Sequence, residues 1–96
     1  MITEAIIKHC RKHKYSNEYM VFWLRHTKCE VPSCWKWAAA PHHIHSRGAG
    51  GGDNPENLVA LCTDHHMEIH QYGWQSFAFI HPSLLDRLEA AKGAMA

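Results

Sequence analysis

The sequence predicts a small α+β domain with a two-stranded hairpin between two helical regions. The chain has 96 residues, a length typical of one domain, residues 1–96. Apolar residues recur at helical spacing near both ends, whereas the middle holds two short strand-like segments separated by a Gly-rich loop. Cysteine and histidine gather in the same middle segment. A chain this short buries a modest core, so a bound metal ion would be a useful staple.

The N-terminal region, residues 1–28, is predicted to be helical. Thr3 is a suitable N-cap for a first helix that ends near Lys14. Ser16 can cap a second helix with the sequence NEYMVFWLRHT, although the aromatic residues of that segment also permit a strand. We therefore expect two short helices before the hairpin.

The central region, residues 29–72, holds the hairpin and a third helix. Its first half reads as a turn, CEVPSC, followed by an irregular segment that enters a short strand, WKWAAAPHHI. After the loop SRGAGGGDNPEN comes a short buried strand, LVALC. The next segment, TDHHMEIHQY, has a helical pattern with Thr63 as its N-cap, and Gly73 marks its C-terminal end.

The C-terminal region, residues 73–96, is predicted to be helical again. Trp74 to Ile80 reads as a further helical turn. The segment SLLDRLEAAK follows Pro82 and is amphipathic, with Ser83 and Asp86 three residues apart as in a capping box.

Charge is divided unevenly along a chain whose net charge is +1. Residues 1–48 hold eight basic and three acidic side chains, for a net +5, whereas residues 49–96 hold two basic and six acidic ones, for a net −4. A basic N-terminal half could contact a polyanion such as nucleic acid. A solvated basic helix is an equally acceptable interpretation of the charge alone.

Membrane insertion and export are not expected. The chain has no apolar run of about 18 residues, the length that spans a bilayer. Its N-terminus, MITEAIIKHCRKHK, lacks the apolar segment of a signal peptide. We expect an intracellular, cytoplasmic protein, and in that compartment cysteines more often bind metals or stay free than form disulfides.

Two short motifs could supply the four ligands of one structural zinc ion. Cys29 and Cys34 lie on a turn short enough to place two thiolates on one ion, and Cys62 and His65 offer two more ligands. Together they form a Cys₃His set, which suits tetrahedral Zn²⁺. The alternative is a set of unrelated core cysteines and a surface histidine. Cys10 has no partner at useful spacing and is expected to be a buried thiol.

Two histidine pairs suggest a second metal site. His66 and His70 are four residues apart, so on a helix they face the same side and can bind one ion. His65 and His66 differ by about 100° around the helix axis, which favours two ions rather than one. In a strand, His42 and His43 would point to opposite faces, so one could bind metal while the other faces a substrate. A surface pair is the alternative interpretation of these two residues.

The motifs in their order resemble those of the HNH endonucleases, which have the ββα-metal nuclease fold. The resemblance covers Cys29 to His70, just under half of the chain. It is carried by CEVPSC and then by APHHIHSRGAGGGDNPENLVALCTDHHMEIH. It implies a small ββα-metal, treble-clef-like core with flanking helices, stapled by a structural zinc.

The resemblance assigns a role to each matching residue of the second site. His43 matches the general base of the family. His42 matches a metal-ligand position that many members fill with aspartate. Asn57 matches the asparagine that holds the loop between the strands and orients the base. His66 and His70 match metal ligands.

The first site matches the zinc knuckle of the family, with one departure. Cys29, Cys34 and Cys62 match knuckle cysteines, but His65 stands where most members have a fourth cysteine. Arg47, in the Gly-rich loop, could contact a flanking phosphate, although an exposed loop arginine can equally have no role.

The resemblance implies a metal-dependent DNA endonuclease that hydrolyses phosphodiester bonds with a single catalytic ion. His43 must be neutral to act as the base, and we expect a backbone carbonyl of the Gly-rich loop to bind its far nitrogen. Three imidazoles without a carboxylate should accept Mn²⁺, Ni²⁺, Co²⁺ or Zn²⁺ and bind Mg²⁺ weakly.

A monomer with one active centre would nick DNA, whereas double-strand cutting would need a homodimer. The alternative function is a non-catalytic, zinc-stabilised module that binds nucleic acid. That module needs only the zinc-knuckle residues and leaves the other histidines on the surface.

Overall fold

In the computed structural model, which describes residues 2–93, helices flank a two-stranded antiparallel sheet. This arrangement confirms the predicted small α+β class. The predicted terminal regions also include Met1 and residues 94–96, which lie outside the described residues. The helices and strands in chain order are α1 (Ile2–Lys12), α2 (Asn17–Arg25), β1 (His42–His43), β2 (Leu58–Val59), α3 (Thr63–Ile80) and α4 (Leu85–Gly93).

Two N-terminal helices form as predicted, but α1 already includes Ile2, so Thr3 lies within the helix and the predicted N-cap at Thr3 is wrong. Lys14 has a left-handed backbone conformation, with a φ of 57°, so α1 ends before it, at Lys12. Ser16 is the N-cap of α2, because its hydroxyl accepts a hydrogen bond of 3.2 Å from the backbone N–H of Tyr19. The second segment is therefore a helix, and the strand that its aromatic residues also permitted does not form.

A four-residue segment at β2 is buried on both faces. Leu58, Val59, Ala60 and Leu61 are each no more than 1% exposed. Side chains of an extended chain alternate between faces, so this segment contributes to two different cores. Leu58 and Ala60 pack into the N-terminal core, which also contains Ile6, Cys10, Tyr19, Phe22 and Trp23. Val59 and Leu61 pack into the C-terminal core, which also contains Cys29, Val31, Ile44, Cys62, Ile69, Phe77, Ala78, Leu84, Leu88 and Ala91.

The hydrogen bonds of this segment explain why β2 is shorter than the predicted strand LVALC. The register of the sheet pairs His42 with Val59. Beyond that pair, the carbonyl of Ala60 accepts a bond of 2.8 Å from the backbone N–H of Glu30, and the carbonyl of Leu61 accepts one of 2.8 Å from Ala39. The segment stays bonded, but to single residues of the preceding loop instead of a continuous partner strand.

Helix α3 begins and bends at specific residues. Its N-cap is Cys62, whose sulfur accepts a hydrogen bond from the backbone N–H of His65, so the predicted cap at Thr63 is wrong. Gly73 breaks the helix with a φ of 85°, as predicted, and a second helical part continues to Ile80. No helix within residues 2–93 is long and apolar enough to span a bilayer.

Helix α4 begins later than predicted. A 3-10 turn over Pro82–Leu84 precedes it, and this turn has no side-chain cap. Ser83 lies inside the turn, so the predicted capping box with Asp86 does not form. Leu84 and Leu88 are at most 5% exposed and fix the helix against the C-terminal core.

Candidate metal centres

The Cys₃His set converges at the start of α3. Its four ligand atoms, one from each of Cys29, Cys34, Cys62 and His65, lie within 4.8 Å of one another. The Nδ1 atom of His65 is 3.4 Å from the sulfur of Cys29 and 3.2 Å from that of Cys62. The sulfurs of Cys34 and Cys62 are 3.9 Å apart. A tetrahedral zinc with Zn–S bonds of about 2.3 Å has sulfurs about 3.8 Å apart, so these residues fit Zn²⁺.

The loop that carries the first two cysteines is tightly turned. The backbone N–H of Cys34 donates to the carbonyl of Val31 at 3.0 Å, and that of Cys29 donates to the carbonyl of Lys36 at 3.0 Å. Ser33 adopts a left-handed conformation, with a φ of 67°. These contacts explain how a spacing of five residues brings two thiols to one point.

A buried thiol of this cluster would need a bound cation to become a thiolate. Burial raises the pKa of Cys29 to about 11, so this thiol would stay protonated without a positive charge beside it. The backbone N–H of Lys36 lowers the pKa of Cys34 instead. A bound Zn²⁺ would stabilise all three thiolates, which is the form that ligates metal.

A hydrogen-bonded pair that the sequence analysis missed, Glu68 and His81, lies next to His65. His81 donates a hydrogen bond of 2.6 Å from Nε2 to Oε1 of Glu68, and its ring lies edge-on to that of His65 at 5.1 Å. Glu68 follows His65 by three residues on α3, so helical spacing could have indicated it. His81 reaches the cluster only because α3 bends at Gly73, which its sequence position does not reveal.

A second cluster contains the three histidines predicted as ligands. His42 comes from β1, whereas His66 and His70 come from adjacent turns of α3. The Nε2 atoms of His66 and His70 are 3.0 Å apart, and the ring of His42 lies 5.1 and 5.0 Å from their rings. The three rings offer ligand nitrogens within 4.8 Å of one another, a separation that one divalent ion can bridge.

Two histidines of the cluster, His42 and His66, have lowered pKa values. Burial and the neighbouring charges of His66 and His70 lower the pKa of His42 to about 3. Burial and His70 also lower the pKa of His66. At neutral pH the rings of His42 and His66 therefore keep a free nitrogen lone pair, which metal ligation requires.

His43 does not belong to this cluster and contacts a carboxylate instead. Its Nε2 atom is 2.7 Å from Oδ1 of Asp53, and the two side chains are only 13% and 15% exposed. The expected partner, a backbone carbonyl of the Gly-rich loop, is therefore wrong. The loop supplies the side chain of Asp53 instead, a residue that the sequence analysis did not single out.

Asp53 is itself fixed by the N-terminal region and by the loop. The backbone N–H of Ser16 donates to its Oδ2 atom at 3.3 Å, and Nε of Arg47 lies 4.0 Å from Oδ1. Burial alone would raise the pKa of Asp53, but its hydrogen bonds with His43 and Ser16 outweigh burial and lower the pKa. Asp53 is therefore a carboxylate at neutral pH. Arg47 remains half exposed beside it.

Aromatic rings from the N-terminal region hold the ring of His43. Tyr19 stacks on it with a centroid distance of 5.3 Å, and Tyr15 stacks on Tyr19 at 4.0 Å. The hydroxyl of Tyr19 donates to the carbonyl of Pro41 at 2.8 Å. The ring of His43 is thus oriented by helix α2, which the resemblance to HNH endonucleases did not cover.

Asn57 ties the Gly-rich loop to the end of β1. Its Oδ1 atom accepts a bond of 2.8 Å from the backbone N–H of His45. Its Nδ2 atom donates to the carbonyls of His45 at 2.9 Å and of Gly52 at 2.8 Å. Asn57 is 6% exposed, so these bonds satisfy an amide that burial would otherwise penalise. It does not contact His43 directly but fixes the loop that carries Asp53.

Comparisons of the chain with protein-family models, with curated proteins and with solved structures give no match.

We predict that the Cys₃His cluster binds one zinc ion on which folding depends. Cys29→Ala should lose most of the bound zinc and cooperative thermal unfolding, because metal-binding free energy is folding free energy in such sites. Cys10→Ala is the matched control, since Cys10 is equally buried but lies in the other core. Elemental analysis and circular dichroism measure both properties. Full zinc content in Cys29→Ala, or its loss in Cys10→Ala, would contradict this assignment.

We also predict that two glycines of the loop respond differently to alanine. A Cβ at Gly51 would lie 1.8 Å from the carbonyl oxygen of His45 and 2.9 Å from Nδ2 of Asn57, whereas a Cβ at Gly48 meets nothing within 4 Å. Gly51→Ala should lower the free energy of unfolding by roughly 2 kcal/mol or more, and Gly48→Ala by less than about 0.5 kcal/mol. Urea denaturation followed by tryptophan fluorescence measures the difference. Equal effects would show that Asn57 does not hold the loop in this way.

Proposed function

We propose that this protein is a metal-dependent DNA endonuclease of the HNH type, which hydrolyses phosphodiester bonds. The observation that supports this function best is that the two adjacent histidines of β1 have different partners. His42 faces two histidines of α3 in a metal-binding arrangement, and its neighbour His43 faces a carboxylate. A metal cluster and a histidine–carboxylate pair on adjacent residues are the parts that metal-assisted hydrolysis requires.

His43 acts as the general base. Its Nε2 atom holds the proton that it donates to Asp53, so Nδ1 keeps the lone pair that can accept a proton from the attacking water. The carboxylate of Asp53 stabilises the imidazolium that forms, and Tyr19 prevents the ring from turning. A positioned base of this kind contributes about 10² to 10⁴ to the rate.

His42, His66 and His70 would hold the catalytic ion. A divalent ion in this place would offset the negative charge that develops on the phosphate and on the leaving 3′ oxygen. Because the three ligands are imidazoles, we expect Mn²⁺, Co²⁺, Ni²⁺ or Zn²⁺ to bind more tightly than Mg²⁺. The Cys₃His zinc has no part in the chemistry but fixes the first turn of α3, which carries His66.

Basic side chains would hold the DNA by its phosphates. Arg47 lies beside the His43–Asp53 pair with its guanidinium half exposed, so it can reach a phosphate next to the cleaved bond. The excess positive charge of residues 1–48 would add contacts that carry no sequence preference. One catalytic centre per chain makes nicking the expected product of the monomer, and a homodimer would be needed to cut both strands.

A plasmid nicking assay tests this function. Wild-type protein should convert supercoiled plasmid to open circles with Mn²⁺, and His43→Ala should be slower by about 10² or more, because the base is lost. His13→Ala is the control, since His13 is exposed on the N-terminal region and belongs to neither metal cluster. Equal rates for His43→Ala and wild type would refute the proposed mechanism. A protein that binds one zinc but nicks with none of the five metals would be the non-catalytic module instead.

The role of Asp53 gives a separate prediction. Asp53→Asn keeps a hydrogen-bond acceptor but loses the charge, so kcat should fall by about tenfold to a hundredfold, with KM little changed. Asp53→Glu should recover part of the loss, because it restores the carboxylate. A kcat within twofold of wild type in Asp53→Asn would show that the carboxylate does not assist His43.

A further inference from the structure

Two tryptophans on the zinc loop are unusually exposed. Trp35 is 83% exposed and Trp37 is 57% exposed, although tryptophan normally buries most of its surface. Lys36 stands between them and Lys28 lies beside them. We call these four residues, Lys28, Trp35, Lys36 and Trp37, the tryptophan platform. No role in the metal clusters or in the His43–Asp53 pair accounts for them.

The backbone beneath the platform is fixed on both sides. Trp35 directly follows Cys34, a ligand of the Cys₃His cluster. Trp37 forms a bridge pair with Lys28, and the next residue, Ala38, donates to the carbonyl of Thr27 at 2.8 Å. The two rings therefore extend from a pinned segment, and their exposure is not the result of a loose loop.

Positive charge accompanies the exposed rings. The ammonium group of Lys28 lies 3.5 Å from the centroid of the Trp37 ring, a cation–π contact beside which Trp37 is still 57% exposed. Lys36 is 65% exposed and pairs with Asp64, which is 67% exposed. A shallow groove beside Trp35 also contains His65 and His81. The surface thus combines exposed aromatic rings with exposed lysines.

We propose that the tryptophan platform binds unpaired bases of single-stranded DNA, which makes DNA with a single-stranded segment the preferred substrate. This inference rests on the proposed nuclease function. Every base has a π-face that can stack on tryptophan, but that face is covered by neighbouring base pairs in a duplex. Lysines beside the rings fit the phosphates between such bases. A purely apolar partner would leave the charge of Lys28, which has no carboxylate partner among the described residues, without a counterpart.

The position of the platform agrees with this use. Trp35 is linked to the zinc cluster through Cys34, and the zinc ligand His65 is adjacent to His66 of the histidine cluster. The platform and the histidine cluster are therefore connected through one ligand of the Cys₃His cluster and its neighbour in the chain.

Fluorescence anisotropy with a labelled 12-nucleotide thymidine strand tests the proposal. The protein is used with its zinc and without added Mn²⁺ or Mg²⁺, and a denaturing gel verifies that the strand stays intact. The variant Trp35→Ala/Trp37→Ala should bind the strand on the order of tenfold more weakly per tryptophan, whereas its affinity for a 12-base-pair duplex should change by less than about twofold. Trp35→Phe/Trp37→Phe should retain most of the single-strand affinity, because phenylalanine still stacks.

Phe79→Ala is the matched control, since Phe79 is 88% exposed and lies outside the platform. It should bind the strand as wild type does. Zinc content and circular dichroism verify that each variant is folded. The proposal is overturned if the double alanine variant binds the strand normally, or if single-strand and duplex affinity fall equally. It is also overturned if size-exclusion chromatography shows that the double alanine variant binds the strand weakly only because a dimer has dissociated.

The binding assay separates this proposal from the nuclease function. If no metal supports nicking but the single-strand affinity depends on the tryptophans, the platform stands and the nuclease function fails. If nicking depends on His43 but the tryptophans do not affect binding, the nuclease function stands and the platform fails.

Discussion

Burial of the segment from Leu58 to Cys62 on both faces is the constraint on which the rest of the structure depends. From Leu58 to Leu61 its side chains alternate between the N-terminal and C-terminal cores, so a shift of one residue would exchange the two sets. The segment pairs with β1 at one end. At the other end Cys62 caps α3 and joins the Cys₃His cluster. The register of this single segment therefore positions both candidate metal centres.

The same constraint directs the histidines of α3 to two different clusters. Because Cys62 fixes where the helix begins, the directions of His65 and His66 are fixed as well, about 100° apart. His65 then faces the sulfurs, whereas His66 and, one turn later, His70 face His42 on β1. A structural centre and a proposed catalytic centre can thus share one helix without competing for ligands.

The sequence predicted the parts of these centres that depend on local spacing. A turn between two cysteines, the i, i+4 pair on α3 and the cap at Ser16 follow from geometry within a few residues, and the structure agrees with each. The cap at Thr63 was wrong because a cysteine sulfur, which helix-cap preferences do not favour, takes that place.

The contacts around His43 could not be predicted in the same way. Asp53 depends on the path of the Gly-rich loop, and Tyr19 reaches His43 only through the packing of α2 against the hairpin. His81 likewise depends on the bend at Gly73. No spacing rule encodes such contacts, since each joins residues from different elements. Asp53 and Tyr19 surround the proposed base, so the residues that would tune its chemistry are the ones that only the fold reveals.

The most direct test of this account is a crystal structure with Mn²⁺, with anomalous diffraction recorded at the zinc and manganese absorption edges. We expect a zinc peak among Cys29, Cys34, Cys62 and His65, and a separate manganese peak among His42, His66 and His70. A single peak that His65 and His66 share, or the absence of manganese from the three histidines, would contradict the division into a structural and a catalytic centre.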